Sequence, residues 1–270
     1  MNRIETRFAE LKSANKKALV PFITTGDPAG VDITELMHAL VSGGADIIEL
    51  GVPFSDPAAD GETIQHASER AIENGVSYED TFAAVQAFRK KNQTTPVVLM
   101  GYLNPAEIHQ SGFTGYVESA KSAGADGLIL VDLSYESGAE YRKSIKSQDI
   151  DLINLIAPTT SKTRLGKILK SATGFVYYVS MRGITGANKA LDNQEIEAAI
   201  TAIREKSTLP ICVGFGISDG DTAKKLAQYA DGIVVGSALV KKLYNAQQNN
   251  ENVLATATAF MQTLRHAIDD

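Results

Sequence analysis

Eight short apolar runs recur along this chain, at 18–24, 46–51, 96–102, 127–132, 152–157, 174–180, 210–214 and 232–235. Most are continuous rather than alternating, the pattern of parallel strands covered on both faces. Between them, apolar residues return at helical spacing: Ile33, Leu36, Met37 and Leu40; Phe82, Val85 and Phe88; Ile196, Ala199, Ile200 and Ile203; Ala223, Leu226 and Ala227. Strands alternating with helices make βαβ units, and eight such units predict an α/β fold closed into a (β/α)₈ TIM barrel. An open doubly wound sheet would want G-x-G-x-x-G after its first strand, where this chain has TTGDP at 24–28. Ile4, Phe8 and Leu11 predict an extra N-terminal helix ahead of the first strand. The 270 residues contain no Pro/Ser/Gly linker and no low-complexity tract, so 1–270 is read as a single barrel domain.

Three segments echo one another: GGAD at 43–46, AGADG at 123–127 and ADG at 230–232. They are read as helix-to-strand turns, with glycine as left-handed cap and aspartate favouring the turn, and they mark the stability face of a barrel. The formal net charge of −6 argues against a nucleic-acid groove, which needs clustered Lys and Arg. The pairs Lys16-Lys17 and Lys241-Lys242 are read as solvated faces. Cys212, the single cysteine, sits in an apolar run and is read as a small core residue. No apolar run nears the ~18 residues of a membrane span, and no signal-peptide pattern opens the chain. The expectation is a soluble, cytoplasmic protein.

Chemistry in such a barrel belongs at the carboxyl ends of the strands. There the second run ends in Glu49, and a loop holding Pro53 and Pro57 leads to Asp60. Carboxylates are costly to bury without a partner, so two acids joined by a stiff loop suit proton transfer, one protonated while the other stays charged. Three glycine-bearing segments share the same face: GITG at 183–186, GFG at 214–216, and Gly236-Ser237 opening a helix. Together Gly186, Gly216, Gly236 and Ser237 suggest a phosphate site, since glycine lets backbone N–H groups approach an anion and a helix N-terminus favours it. Phe22, Met100, Tyr102, Tyr177 and Phe215 suggest an apolar slot for a flat ring, with barrel packing as the competing reading. The polar 180–192 stretch is long for a strand-to-helix loop and reads as a lid around Thr185. The four histidines lack ligand spacing, so no metal is expected.

Taken together, ELGVPFSDP at 49–57 with ADG at 59–61, PFITTGDP at 21–28, MGYLNP at 100–105, GITG at 183–186, VGFGIS at 213–218 and VGS at 235–237 resemble the tryptophan synthase alpha chain family. The resemblance covers nearly the whole chain. It departs at Ala58, where a larger apolar residue is usual, at Ser134, where proline is usual, and at Arg182, where a small residue is common. The resemblance implies a lyase of tryptophan biosynthesis that cleaves indole-3-glycerol phosphate by a retro-aldol reaction to indole and glyceraldehyde 3-phosphate. It implies Glu49 as proton carrier, Asp60 as partner of the indole N–H, and Ile129 as a further ring contact. It also implies no cofactor of its own, and an α2β2 heterotetramer with a beta chain that carries the pyridoxal phosphate. Two alternatives stay open. One is another phosphate-binding barrel enzyme of the indole-glycerol-phosphate synthase, phosphoribosylanthranilate isomerase or sugar-phosphate epimerase type. The other is a non-catalytic barrel that activates a partner.

Overall fold

The computed structural model describes residues 1–179, 194–214 and 216–270, and the backbone alone at 181–182, 189–190 and 193. Strands and helices follow one another as α1 (Arg3–Ser13), β1 (Ala18–Thr24), α2 (Ile33–Ser42), β2 (Ile48–Gly51), α3 (Glu62–Glu73), α4 (Tyr78–Arg89), β3 (Val97–Gly101), α5 (Leu103–Glu107), α6 (Gly112–Ala123) and β4 (Gly127–Leu130). The chain continues through α7 (Ala139–Ser147), β5 (Asp151–Leu152), β6 (Asn154–Ile156), α8 (Lys162–Ser171), β7 (Val176–Val179), the short β8 (Met181–Arg182) and β9 (Lys189–Ala190), and α9 (Asn193–Arg204). It ends with β10 (Ile211–Gly214), α10 (Gly220–Ala227), β11 (Gly232–Val235), α11 (Ser237–Gln248) and α12 (Val253–Asp269). The main sheet runs β5-β4-β3-β2-β1-β11-β10-β7-β6, all parallel. Its two ends, β5 and β6, are consecutive pieces of one extended stretch, so the sheet closes on itself as a TIM barrel.

The fifth run of the sequence thus splits at Ile153. Its first half pairs with β4 and its second with β7, while the Ile153 N–H still donates to the Leu128 carbonyl at 2.9 Å. Closing a barrel staggers the strands, so the halves of one strand come to lie opposite different neighbours.

The continuous apolar runs have a simple cause. Successive side chains of a strand point to opposite faces, and here both faces are covered. Ala18, Val20, Ile47, Val98, Ile129, Cys212 and Val234 form an inner cluster. Their chain neighbours Leu19, Ile48, Val97, Leu99, Leu128, Val213 and Ile233 pack outward under the helices. Glu49 is two residues after the inward Ile47, so the same alternation turns its carboxyl into the lumen. Helix α1 is the extra helix. Its buried Ile4, Phe8 and Leu11 join the inner cluster, and the Phe8 ring lies 5.7 Å from that of Phe175, closing the amino end of the barrel.

The three echoing turns lie at that same end. Gly44 and Gly124 take φ of +104° and +101°, the left-handed conformation expected of them. Their aspartates do more than favour a turn. Asp46, ahead of β2, accepts from the Leu19 N–H of β1 at 2.8 Å; Asp126, ahead of β4, accepts from Val97 of β3 at 2.8 Å; Asp231, ahead of β11, accepts from Ile211 of β10 at 2.9 Å. Each ties the start of one strand to its neighbour, and each is matched by arginine: Arg7 and Arg265 on Asp46, Arg3 and Arg89 on Asp126, Arg204 on Asp231. No helix among the described residues is long and apolar enough to cross a membrane.

Candidate active site

At the carboxyl end of the strands a cavity of about 460 Å³ opens, lined by Phe22, Glu49, Asp60, Met100, Tyr177, Gly216, Gly236 and Ser237 among others. Seven elements or loops deliver these residues, so only closure of the barrel brings them together. Glu49 is 1 % exposed, and its Oε2 has no hydrogen-bond partner among the described residues. Burial raises its pKa to about 8, with the nearby Asp60 charge adding to the rise. Asp60 is also raised, to about 6, by burial, against a hydrogen bond from Tyr102 that lowers it. Desolvation disfavours a charged carboxyl, and neither acid has an ion pair among the described residues. Near neutral pH this favours a protonated Glu49 facing an ionised Asp60.

The loop before Asp60 is held by its own backbone and by α3. The Asp60 N–H donates to Pro57 at 2.9 Å, and the Gln65 amide donates to the Asp60 carbonyl at 2.9 Å. Tyr102, read from sequence as a wall for a flat ring, sits beside the cavity. Its hydroxyl donates to Asp60 Oδ2 at 3.1 Å and accepts from the Ala59 N–H at 3.0 Å, and its ring lies 5.1 Å from Phe54. It therefore positions the acid. Ala58 is exposed on this loop. Ser134 replaces proline's rigidity with a turn of its own: its Oγ accepts from the Ser137 N–H at 3.1 Å and its carbonyl from Gly138 at 3.0 Å.

Phe22, Met100 and Tyr177 form the apolar walls. The Tyr177 hydroxyl lies 2.2 Å from where a Cβ would stand at 214, so only glycine admits the ring there. Ile129 differs from its expected role. It is wholly buried, opposite Met100 in the β3–β4 register, and belongs to the packed layer of the inner cluster rather than to the cavity wall. On the same rim, with only β1 between β2 and β11, α11 begins at Ser237 with Gly236 as its N-cap and no side-chain capping bond, leaving first-turn N–H groups available to an anion. Gly216 takes φ of +77°. Phe215, Gly186, Thr185 and most of the 180–192 stretch lie outside the described residues. Among the described residues no group of three His, Cys, Asp or Glu could hold a metal ion.

Sequence reasoning missed several lining residues. Glu62, Thr63 and Ile64 enter because α3 starts at the cavity rim. Lys241 and Lys242 are both exposed, as read from sequence, but Lys241 also lines the cavity, while Lys242 turns away, its ammonium 5.5 Å from the centre of the Phe260 ring. The signal was present in the spacing, since Lys241 stands four residues after Ser237 and shares its helix face.

A family model described as "Tryptophan synthase alpha chain" matches residues 8–269. Relatives bearing that name are 47 % identical in Janthinobacterium sp. strain Marseille, over all of both chains, and 48 % in Xanthomonas oryzae pv. oryzae, over 100 % of this chain and 99 % of the relative. The crystal structure of tryptophan synthase subunit alpha from Legionella pneumophila str. Paris superposes with a TM-score of 0.92 at 40 % identity, covering 100 % of this chain and 99 % of that one. Tryptophan synthase from M. tuberculosis, in its aminoacrylate-bound form, gives 0.86 at 32 % identity over 99 % of this chain and 100 % of that chain. With its closed barrel and its two acids in the mouth, this chain belongs to the tryptophan synthase alpha chain family.

Proposed function

We propose that this chain is a carbon–carbon lyase that cleaves indole-3-glycerol phosphate to indole and glyceraldehyde 3-phosphate. The observation that carries the reading is a pair of buried acids, without an ion pair among the described residues, lining one cavity with a glycine-capped helix N-terminus. The bond at indole C3 cannot break while the ring is aromatic. Protonated Glu49 delivers a proton to C3, which places positive charge on the indole nitrogen. Ionised Asp60 accepts a hydrogen bond from the indole N–H and stabilises that cation. The carboxylate left on Glu49 then takes the proton of the glycerol hydroxyl beside the breaking bond. The C–C bond pair returns to the ring, indole leaves, and the hydroxyl carbon becomes the aldehyde. Glu49 ends protonated, as it began.

Phe22, Met100 and Tyr177 hold the ring in this reading, while Gly216, Gly236 and Ser237, with Gly186 and Phe215 from the remaining loops, complete the site. The steps need an acid, a base and an anion, and no cofactor of the chain's own; pyridoxal phosphate belongs to the partner. The chain works as the alpha subunit of an α2β2 assembly with a tryptophan synthase beta chain, as a cytoplasmic enzyme of tryptophan biosynthesis. Indole release by the lone chain from indole-3-glycerol phosphate, followed during titration with the cognate beta chain, tests both parts. Turnover should rise substantially as the complex forms. No indole release with or without beta chain would overturn the reaction. Unchanged turnover with no complex on ultracentrifugation would overturn the partnership.

A further inference from the structure

The wall of the active-site cavity is electrostatically lopsided. Glu49, Asp60 and Glu62 contribute three carboxyls, and Lys241 is the single cationic residue among the described residues that line it. The cavity is built to receive something polar, because Glu49 Oε2 is buried in its wall without a partner among the described residues. Lys241 lies on α11 one turn beyond Ser237, at i and i+4, so the two residues share a helix face. It is exposed and makes no ion pair or hydrogen bond among the described residues, whereas Lys242 beside it is engaged with the Phe260 ring.

We propose that Lys241 is a substrate-binding residue whose ammonium pairs with the phosphate held at the N-terminus of α11. The proposal rests on the reading of this cavity as the indole-3-glycerol phosphate site. A phosphate dianion entering a pocket that already carries an ionised Asp60 meets like charge, and neutral N–H groups offset only part of it. An ammonium on a flexible stem supplies a full point charge without a fixed orientation. Staying solvated in the free protein, it carries little desolvation cost before substrate arrives. It also fixes which way the substrate lies, with the phosphate drawn to α11 and the ring left to the acids.

The test compares Lys241→Met, Lys241→Arg, Lys242→Met and Ser237→Ala in the full chain, using inorganic phosphate as a competitive inhibitor and indole-3-glycerol phosphate as substrate. Lys241→Met should weaken phosphate inhibition and raise KM by about tenfold, as expected for loss of a charge-assisted contact. Its preference for indole-3-glycerol phosphate over the phosphate-free indole-3-glycerol should narrow by the same factor. Lys241→Arg should recover most of the loss, and Lys242→Met should match the parent. If Lys241→Met binds phosphate like the parent while Ser237→Ala binds it worse, the role of Lys241 is refuted and the phosphate site stands. If phosphate does not compete with substrate and Ser237→Ala changes nothing, the site reading fails and the proposal with it.

Discussion

The two ends of the barrel treat the same functional group in opposite ways. At the amino end, Asp46 and Asp126 are 3 % and 7 % exposed, and each is met by two arginines and a neighbouring strand's N–H. At the carboxyl end, Glu49 is more deeply buried than either and has no ion pair among the described residues. The matched aspartates cross-brace the strands, and breaking one such buried pair leaves a charge uncompensated. Both unmatched acids are raised by burial, Glu49 to about 8, so that it keeps its proton at neutral pH, and Asp60 to about 6, so that it does not. Burial alone thus distinguishes nothing; the presence or absence of arginine separates a carboxyl that stabilises from one available for proton transfer.

The sharpest break of this contrast is Glu49→Gln. It removes the proton carrier, and turnover measured as indole release should fall by roughly 10²-fold or more. Its stability should move the other way. The folded pKa lies above the ordinary 4.5, so the native state holds a proton the unfolded chain has lost between about pH 4.5 and 8. Stability therefore falls as pH rises through that window, and the glutamine variant escapes the loss. Its Tm should exceed the parent's at pH 9 and match it near pH 4; a variant less stable at pH 9 would make Glu49 structural.

Asp126→Asn probes the other end. It leaves Arg89, whose side chain is 7 % exposed, without its anion, and should cost about 3 kcal/mol in urea denaturation. Turnover per folded molecule should stay within about twofold of the parent, since removing a brace far from the mouth leaves the transition-state contacts in place. A large loss of turnover at unchanged stability would erase the distinction between the two ends.

The smallest effect sharpens the pair itself. Activity should follow a bell between pH about 6, below which Asp60 protonates, and about 8, above which Glu49 loses the proton it must deliver. Tyr102→Phe removes the hydrogen bond that lowers the Asp60 pKa, so the acid limb of kcat/KM should move upward, with a loss of a few fold near pH 6.5. An unmoved limb would show that Tyr102 does not tune Asp60.

Much of this architecture could be read from residue order alone, because periodicity reports which faces are covered. The inward turn of Glu49 follows from Ile47 by counting two, and Ile4, Phe8 and Leu11 mark one helix face by counting three and four. What could not be read depends on who stands opposite. The echoing aspartates look like turn residues until arginines from α1, α4, α9 and α12 converge on them. Tyr102 looks like a ring wall until the loop carrying Asp60 folds onto its hydroxyl. Ile129 and Met100 occupy equivalent inward positions on adjacent strands, yet only Met100 reaches the cavity, since depth along the barrel axis depends on stagger. Lys241 and Lys242 are identical in sequence terms and differ only in helix rotation.

Helix α1 has an effect on traffic. With Phe8 set against Phe175 and Ile4 filling the lumen beneath Gly127, the barrel is a cup rather than a tube. The one substrate of the proposed reaction therefore enters by the mouth at the carboxyl end, and both products form behind it. Any subunit resting on that mouth becomes gatekeeper in both directions, able to admit one small molecule and intercept another without touching a reacting atom.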